Sequence, residues 1–522
     1  MSTAAVHKSS FMRSAWLVAL GTGFSRVSGL LREQVMAYYF GAGMATDAYV
    51  TAFRIPNLLR DLFAEGALSS SFVPVFKERL VNKTEQEAFD LANVVVTAML
   101  LVLGVVTLLG IVGTPAIIYL TANGFTQEKE KFDLTVNLTR IMWVFLPLVS
   151  ISALAMGMLN SFDRFGLPAL APTMFNLGSV LTVVVFYSFF HVPIYAMAIG
   201  VLIGGLGQIV IQMPSLHQIG YRFKFKLKLL DEGLRKMMRM FTPMMIGLSA
   251  GRINILLSTL LVSFLSEGSM SYLNYAFRLM HFPLGVFGVA LGTVALPRAT
   301  EIASRGDMDG LGKTFSEALN MSLMLMIPSA LALALLGHQF VSLVYRWGAF
   351  SELNASNTAL ALFHYSYGII GMGAVRVTAP VYYALGDARL PMRTSIASVV
   401  LNMLLYYPLI KLMDFAGVAA ATSLASIFNF VLLLYFLPGK GVPFSYPHFF
   451  MKLIRIILAA ALAWTAARFV PMGWVTGYSS AIVKLAAALI PLGVGTVLYV
   501  VFCYMLGVSE IKLLGRAIFK RR

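Results

Sequence analysis

Apolar runs of about 20 residues, separated by short polar turns, recur along the whole chain, and each is long enough to cross a bilayer as a helix. In order they predict helices near 14–40, 45–76, 90–121, 135–160, 167–190 and 193–216. A basic polar stretch follows, and then helices near 240–265, 269–303, 313–345, 354–385, 391–413, 416–437, 449–470 and 481–508. No region alternates polar and apolar residues repeatedly over about ten positions, so a β-barrel is not expected. The predicted fold is an all-α polytopic membrane protein with about 14 transmembrane helices.

The pattern also repeats itself. Ala52-Phe53-Arg54 returns as Ala276-Phe277-Arg278, Pro74 as Pro297, Leu167-Pro168 as Leu390-Pro391 and Arg26 as Arg252, all at offsets of 223–226 residues. An even number of helices per copy makes this a parallel repeat about an axis along the membrane normal. The expected organisation is an N-lobe over 1–216, a basic linker over 217–239, a C-lobe over 240–438, and a final pair of helices with a tail over 439–522. Two such lobes are the expected architecture of an alternating-access transporter, with substrate bound between them. A polytopic scaffold held by paired charges is the alternative.

Within the first two predicted helices, residues 21–79 carry Arg26, Arg32, Glu33, Asp47, Arg54, Arg60, Asp61 and Glu65 among apolar neighbours. An intramembrane charge is by default a functional-site hypothesis. Residues seven apart on a helix lie within about 20° of each other, so Asp47, Arg54 and Asp61 form one stripe whose opposite charges can partly pair. Gly21, Gly23, Ser25, Ser28 and Gly29 soften the first helix, and Pro56 should kink the second. Together these predict a bent, polar-lined cavity.

Composition supports the membrane class: of 522 residues 58% are hydrophobic and only 12% charged. The formal charge of +17 does not point to nucleic acid, because the cations are scattered over short loops with no basic soluble domain. They follow the positive-inside pattern. Lys77, Arg79 and Lys83, then Arg164, the linker cations, Arg298, Arg305 and Lys313, Arg389 and Arg393, Lys440, and the tail Lys520, Arg521 and Arg522 mark loops predicted to be cytoplasmic, with both termini. The opposite loops GAGMATD, FHVPIY and LSEGS carry no Lys or Arg, while ANGFTQEKEKF is an exception with two lysines. The linker's Phe-Lys-Phe-Lys-Leu-Lys alternation suits an interfacial segment. The basic start followed by an apolar run is read as an uncleaved first helix. Cys503, the only cysteine, is read as a small core residue.

Over both halves, Arg26, Arg32, Arg54, Arg60, Arg252 and Arg278 outnumber Glu33, Asp47, Asp61 and Glu65, so the cavity should be net positive. The planar guanidinium fork fits a diphosphate bidentately, which points to an anionic substrate and away from export of cationic drugs. Asn57 and His281 complete the supporting polar set. Catalysis is not expected: the seven histidines are dispersed, with no His/Cys metal cluster and no Gly-rich phosphate loop.

The segments GFSRVSGLLREQVMAYYFGAGMATDAYVTAFRIPNLLRDLFAEGALSSSFVP, FDRFGLPALAPTMFN and YAFRLMHFPLGVFGVALGTVALP, with the helix plan, resemble the MurJ (MviN) family of lipid II flippases, of the multidrug/oligosaccharidyl-lipid/polysaccharide exporter superfamily. The resemblance covers essentially the whole chain. It implies transport of undecaprenyl-diphosphate-linked MurNAc-pentapeptide-GlcNAc from the cytoplasmic to the periplasmic leaflet of a bacterial inner membrane. Related alternatives are another polyprenyl-diphosphate glycan or a small-molecule antiporter. It also implies diphosphate binding by residues matching Arg26, Arg32, Arg60 and Arg278, a first-loop aspartate at Asp47, and a lipid-tail groove along the last two helices. The family often carries acids where this chain has Phe277 and His281, and Glu33 stands for a common aspartate. No cofactor is expected, with coupling to an ion or to the membrane potential left open. The expected partners are lipid II and membrane lipids, with contact to cell-wall synthesis machinery open, and the chain is expected to act as a monomer.

Overall fold

The structure, a computed structural model, describes residues 3–61, 68–228, 230–250, 252–469 and 480–511. Glu65 and the basic tail Lys520, Arg521 and Arg522 lie outside the described residues. Among the described residues the chain is helical, with no β-strand.

The chain forms two compact units, Met1–Met270 and Ser271–Arg522. The first holds α1 (Thr3–Phe40), α2 (Met44–Arg60), α3 (Ser69–Asn82), α4 (Glu85–Thr121), α5 (Lys129–Met142), α6 (Phe145–Ser161), α7 (Gly166–Phe186), α8 (Tyr195–Val210), α9 (Met213–Gln218), α10 (Glu232–Ala250) and α11 (Ile253–Val262). The second begins within α12 (Ser269–Pro283) and continues with α13 (Val289–Ser304), α14 (Met308–Leu335), α15 (Gly337–Val344), α16 (Glu352–Ser366), α17 (Gly368–Ala384), α18 (Arg389–Met413), α19 (Phe415–Phe436), α20 (Tyr446–Arg468) and α21 (Ala481–Met505).

Ten helical stretches among the described residues are long and apolar enough to cross a membrane, and they coincide with ten of the expected passes. The other four expected passes fall on α1, on α2 and α3, on α10 and α11, and on α12 and α13, whose sequences carry the charges, glycines and prolines. At the junction of the last two, Pro283 leads into a π-helical turn, Leu284–Gly288. Such turns mark local strain relief and frequently accompany functional sites.

Local chemistry sets the helix ends. Thr84 caps α4 by accepting from the Glu87 amide at 3.2 Å, which satisfies one orphan donor of the first turn, and its hydroxyl donates to the Glu87 carboxylate at 3.4 Å. Small residues let α7 and α8 pair closely: a Cβ added to Gly178 would stand 2.5 Å from Gly204 Cα. In a membrane such contacts hold helices by packing and not by expulsion of water. The core of the first unit is built on Phe72, Phe76, Leu91, Val95, Leu103 and Leu159, and that of the second on Leu311, Phe315, Tyr382, Ile456 and Trp464. Cys503 is buried in the second core, as the sequence led one to expect.

Candidate functional site

The charged stretch of α1 and α2 resolves into two kinds of surroundings. On α1, Gly21 packs directly on Ala169 of α7, and Asn176 of α7 donates to Ser25 O and Ser28 Oγ, both at 3.1 Å, so this face is fixed. Arg26, one residue on from Ser25, is exposed and forms no salt bridge among the described residues. Arg32 is different. It is 6% exposed, its Nη2 donates to Glu33 Oε1 at 2.7 Å, and its guanidinium lies 5.0 Å from the Phe175 ring centre and 5.9 Å from that of Phe53. Phe145 closes this aromatic wall, 5.2 Å from Phe175. A desolvated guanidinium on aromatic faces, with a carboxylate at hydrogen-bond distance, has its charge balanced within the protein.

On α2 the stripe Asp47, Arg54, Asp61 exists, but its charges are tied elsewhere. Neighbours seven apart are separated by roughly 10 Å along the axis, beyond direct pairing. Each reaches a different partner. Asp47 is 1% exposed, and its Oδ2 accepts from Lys131 Nζ of α5 at 3.0 Å and from the Gly268 amide at 2.8 Å. Lys131 is itself buried, 4.5 Å above the Phe125 ring centre. Beside them Glu267 Oε1 accepts from the Met44 amide at 2.7 Å. Arg54 donates to Thr259 Oγ1 of α11 at 2.5 Å. Asp61 accepts from Arg60 Nη2 at 2.9 Å and pairs with Arg252 Nη1 at 3.0 Å, with both arginines partly exposed. Asn57, half-buried, lies three residues from both Arg54 and Arg60, hence on their side of α2.

In the second unit, Arg278 is exposed on α12. His281 Nδ1 lies 2.9 Å from Phe277 O one turn back, which places its proton on Nδ1, and its ring sits 4.1 Å from that of Phe277. Arg376 of α17 comes within electrostatic reach of His281 and donates to Leu284 O in the π-turn at 3.5 Å.

The structure thus brings Arg60, Asp61 and Arg252 together, isolates Arg32 with Glu33, and joins Asp47 to a lysine. Two participants escaped the sequence reading. Lys131 belongs to ANGFTQEKEKF, the loop that broke the basic-loop pattern, and half of the exception has a cause: this lysine is a buried counter-ion, while Lys129 is exposed. Arg376 is a lone cation in an apolar run, and that alone was the signal. Among the described residues no group of three or more His, Cys, Asp or Glu could hold a metal ion.

The sequence profile of the family described as "Lipid II flippase MurJ" matches residues 36–498. The chain belongs to the MurJ lipid II flippase family. A relative described as "Lipid II flippase MurJ" from Burkholderia cenocepacia is 32% identical over 457 residues, covering 86% of this chain and 89% of its own. A solved "Lipid II flippase MurJ, inward closed conformation" superposes with a TM-score of 0.76 at 26% identity, covering 94% of this chain and 99% of that one. An inward-facing multidrug resistance MATE family transporter of the MOP superfamily shares the fold, with a TM-score of 0.66 at 11% identity, over 80% of this chain and 94% of that one. This family member is accordingly a multi-pass membrane transporter and not an enzyme. Arg26, Arg32 and Glu33 precede the matched stretch, so their roles rest on the geometry above.

Proposed function

We propose that the protein flips lipid II, an undecaprenyl-diphosphate-linked glycopeptide, from the cytoplasmic to the periplasmic leaflet of a bacterial inner membrane. The observation that carries this reading is family membership over residues 36–498. The chemistry agrees with it. Arg60 and Arg252 both reach the carboxylate of Asp61 and both stay partly exposed, so a diphosphate there would find two planar guanidinium forks. Arg26 is the further diphosphate ligand of the first unit, and Arg278 is the headgroup contact of the second. Arg32 joins them only on leaving Glu33. Asp47, Arg54, Asn57 and His281 are supporting polar groups. Coupling to an ion or to the membrane potential supplies the direction, and the chain acts alone.

Depletion of the protein in cells tests the substrate: lipid II should accumulate on the cytoplasmic leaflet, and unchanged leaflet distribution would overturn the reading. Orientation is tested by cysteine accessibility. A cysteine at Ser266 should react with an impermeant thiol reagent from outside, whereas cysteines in the linker 217–239 and at both termini should not.

A further inference from the structure

After α9 the chain forms no helix until α10, and residues 221–228 run along the start of α4. The Lys224 amide donates to Asn93 Oδ1 at 3.0 Å and the Lys226 amide to Thr97 Oγ1 at 3.1 Å. Two residues of linker thus keep step with four of helix, about 6 Å in each case, which is the geometry of extended chain. Lys226 Nζ pairs with Asp90 at 2.7 Å, and Tyr221 is buried against Phe89. This side of the linker is therefore fixed to the protein.

The alternate positions are not covered. Phe223, Phe225 and Leu227 are 49%, 66% and 52% exposed. Arg222, Lys224 and Lys228 are exposed as well and form no salt bridge among the described residues. Three large apolar side chains interleaved with three cations would be unfavourable facing water alone, and equally so facing hydrocarbon alone.

The depth of the segment follows from α4. Its exposed apolar side chains begin at Leu101 and end at Leu120, a span of roughly 30 Å that matches the hydrocarbon thickness of a bilayer. Thr97 and Asn93 precede Leu101 by one and two turns, so the linker lies about 6 to 12 Å outside that band, at the level of the headgroups.

We propose that residues 222–228 form a headgroup-level anchor for anionic phospholipid, with Leu227 and Phe225 reaching toward the acyl-chain carbonyls, Phe223 lying among the headgroups, and Arg222, Lys224 and Lys228 taking the phosphates. Amphipathic segments with cations beside apolar anchors bind anionic leaflets in this way. The occupant is a lipid and not a peptide because each exposed apolar side chain is flanked by cations, at a depth where acyl chains and phosphates meet. This assignment is independent of which substrate the protein flips.

The full-length protein with Cys503→Ser and Phe225→Cys, labelled at residue 225 with a polarity-sensitive fluorophore, provides the test. It is reconstituted into vesicles of phosphatidylcholine alone or of phosphatidylcholine with phosphatidylglycerol, each carrying chains brominated near the carbonyl end. In the mixed vesicles the emission should shift to the blue and the bromines should quench it. The part of the quenching that depends on phosphatidylglycerol should fall roughly fivefold when any one of Arg222, Lys224 or Lys228 is changed to Gln, and high salt should weaken it further. Equal quenching in both vesicles would overturn the anionic-lipid assignment. A label that stays polar and unquenched in both, or one shielded only when cytoplasmic proteins are added, would overturn the anchor and make the ridge a protein-docking edge.

Discussion

Asp47 and Asp61 stand on one stripe of one helix, yet the protein treats them oppositely. Asp47 is sealed from solvent, and one lysine balances it while a backbone amide donates to the same oxygen. Asp61 keeps partial exposure and is shared by two arginines, each itself partly exposed. A buried one-to-one pair is costly to break, and its charges already balance. A partly exposed carboxylate between two guanidiniums leaves donors and charge for an anion. Arg32 with Glu33 belongs to the first kind, although its residue type and position are those of a ligand-binding cation.

The largest effect that could break this comparison is at Lys131. Changing it to Ala strands the Asp47 carboxylate at a cost of about 3 to 5 kcal/mol, so the protein should be lost from the membrane. Adding Asp47→Asn should restore its abundance. Normal abundance and transport by Lys131→Ala alone would remove the distinction between the two aspartates.

Arg32→Ala comes next, since it strands Glu33 and empties the space beside Phe53 and Phe175. Membrane abundance should fall and should recover with Glu33→Gln. If abundance holds while flipping stops, Arg32 moves into the ligand-binding class.

At Arg26 and Arg60 the expectation is reversed. Arg→Ala should abolish complementation of a depleted strain while stability changes by about 1 kcal/mol or less. Arg→Lys should recover only part of the function, because it keeps the charge but loses the planar fork. Full complementation by both alanine variants would reject the diphosphate role.

The smallest effect concerns a half-buried pair that lies outside the Leu101–Leu120 band of α4. The hydrogen bond from Lys226 holds the Asp90 carboxyl below the ordinary aspartate value. A depressed folded-state pKa gives a contribution that is complete above the unfolded value and lost as the pH falls through the folded one. Exchange of the Lys226 amide should therefore quicken only below the ordinary aspartate range, beyond the intrinsic pH dependence, and Asp90→Asn should remove that step. A step at neutral pH would assign the control to another group.

The class and the ten apolar passes were legible in the sequence, because they depend on residue type and spacing along one chain. Apolar runs of bilayer length need no partner to be recognised, and a helix stripe follows from its own periodicity. Pairing was not legible. The reading let the opposite charges of the α2 stripe partly pair with each other, whereas Asp47 is tied to α5, Arg54 to α11, and Asp61 to Arg60 beside it and to Arg252. Lys131 lies 84 residues from Asp47 and Gly268 lies 221 from it, and no local pattern encodes such contacts. Arg32 and Arg26 likewise look alike in sequence, separated by six positions on one helix. Only the packing of Phe53, Phe145 and Phe175 around one of them decides that it is enclosed, because desolvation is a property of the surroundings and not of the residue.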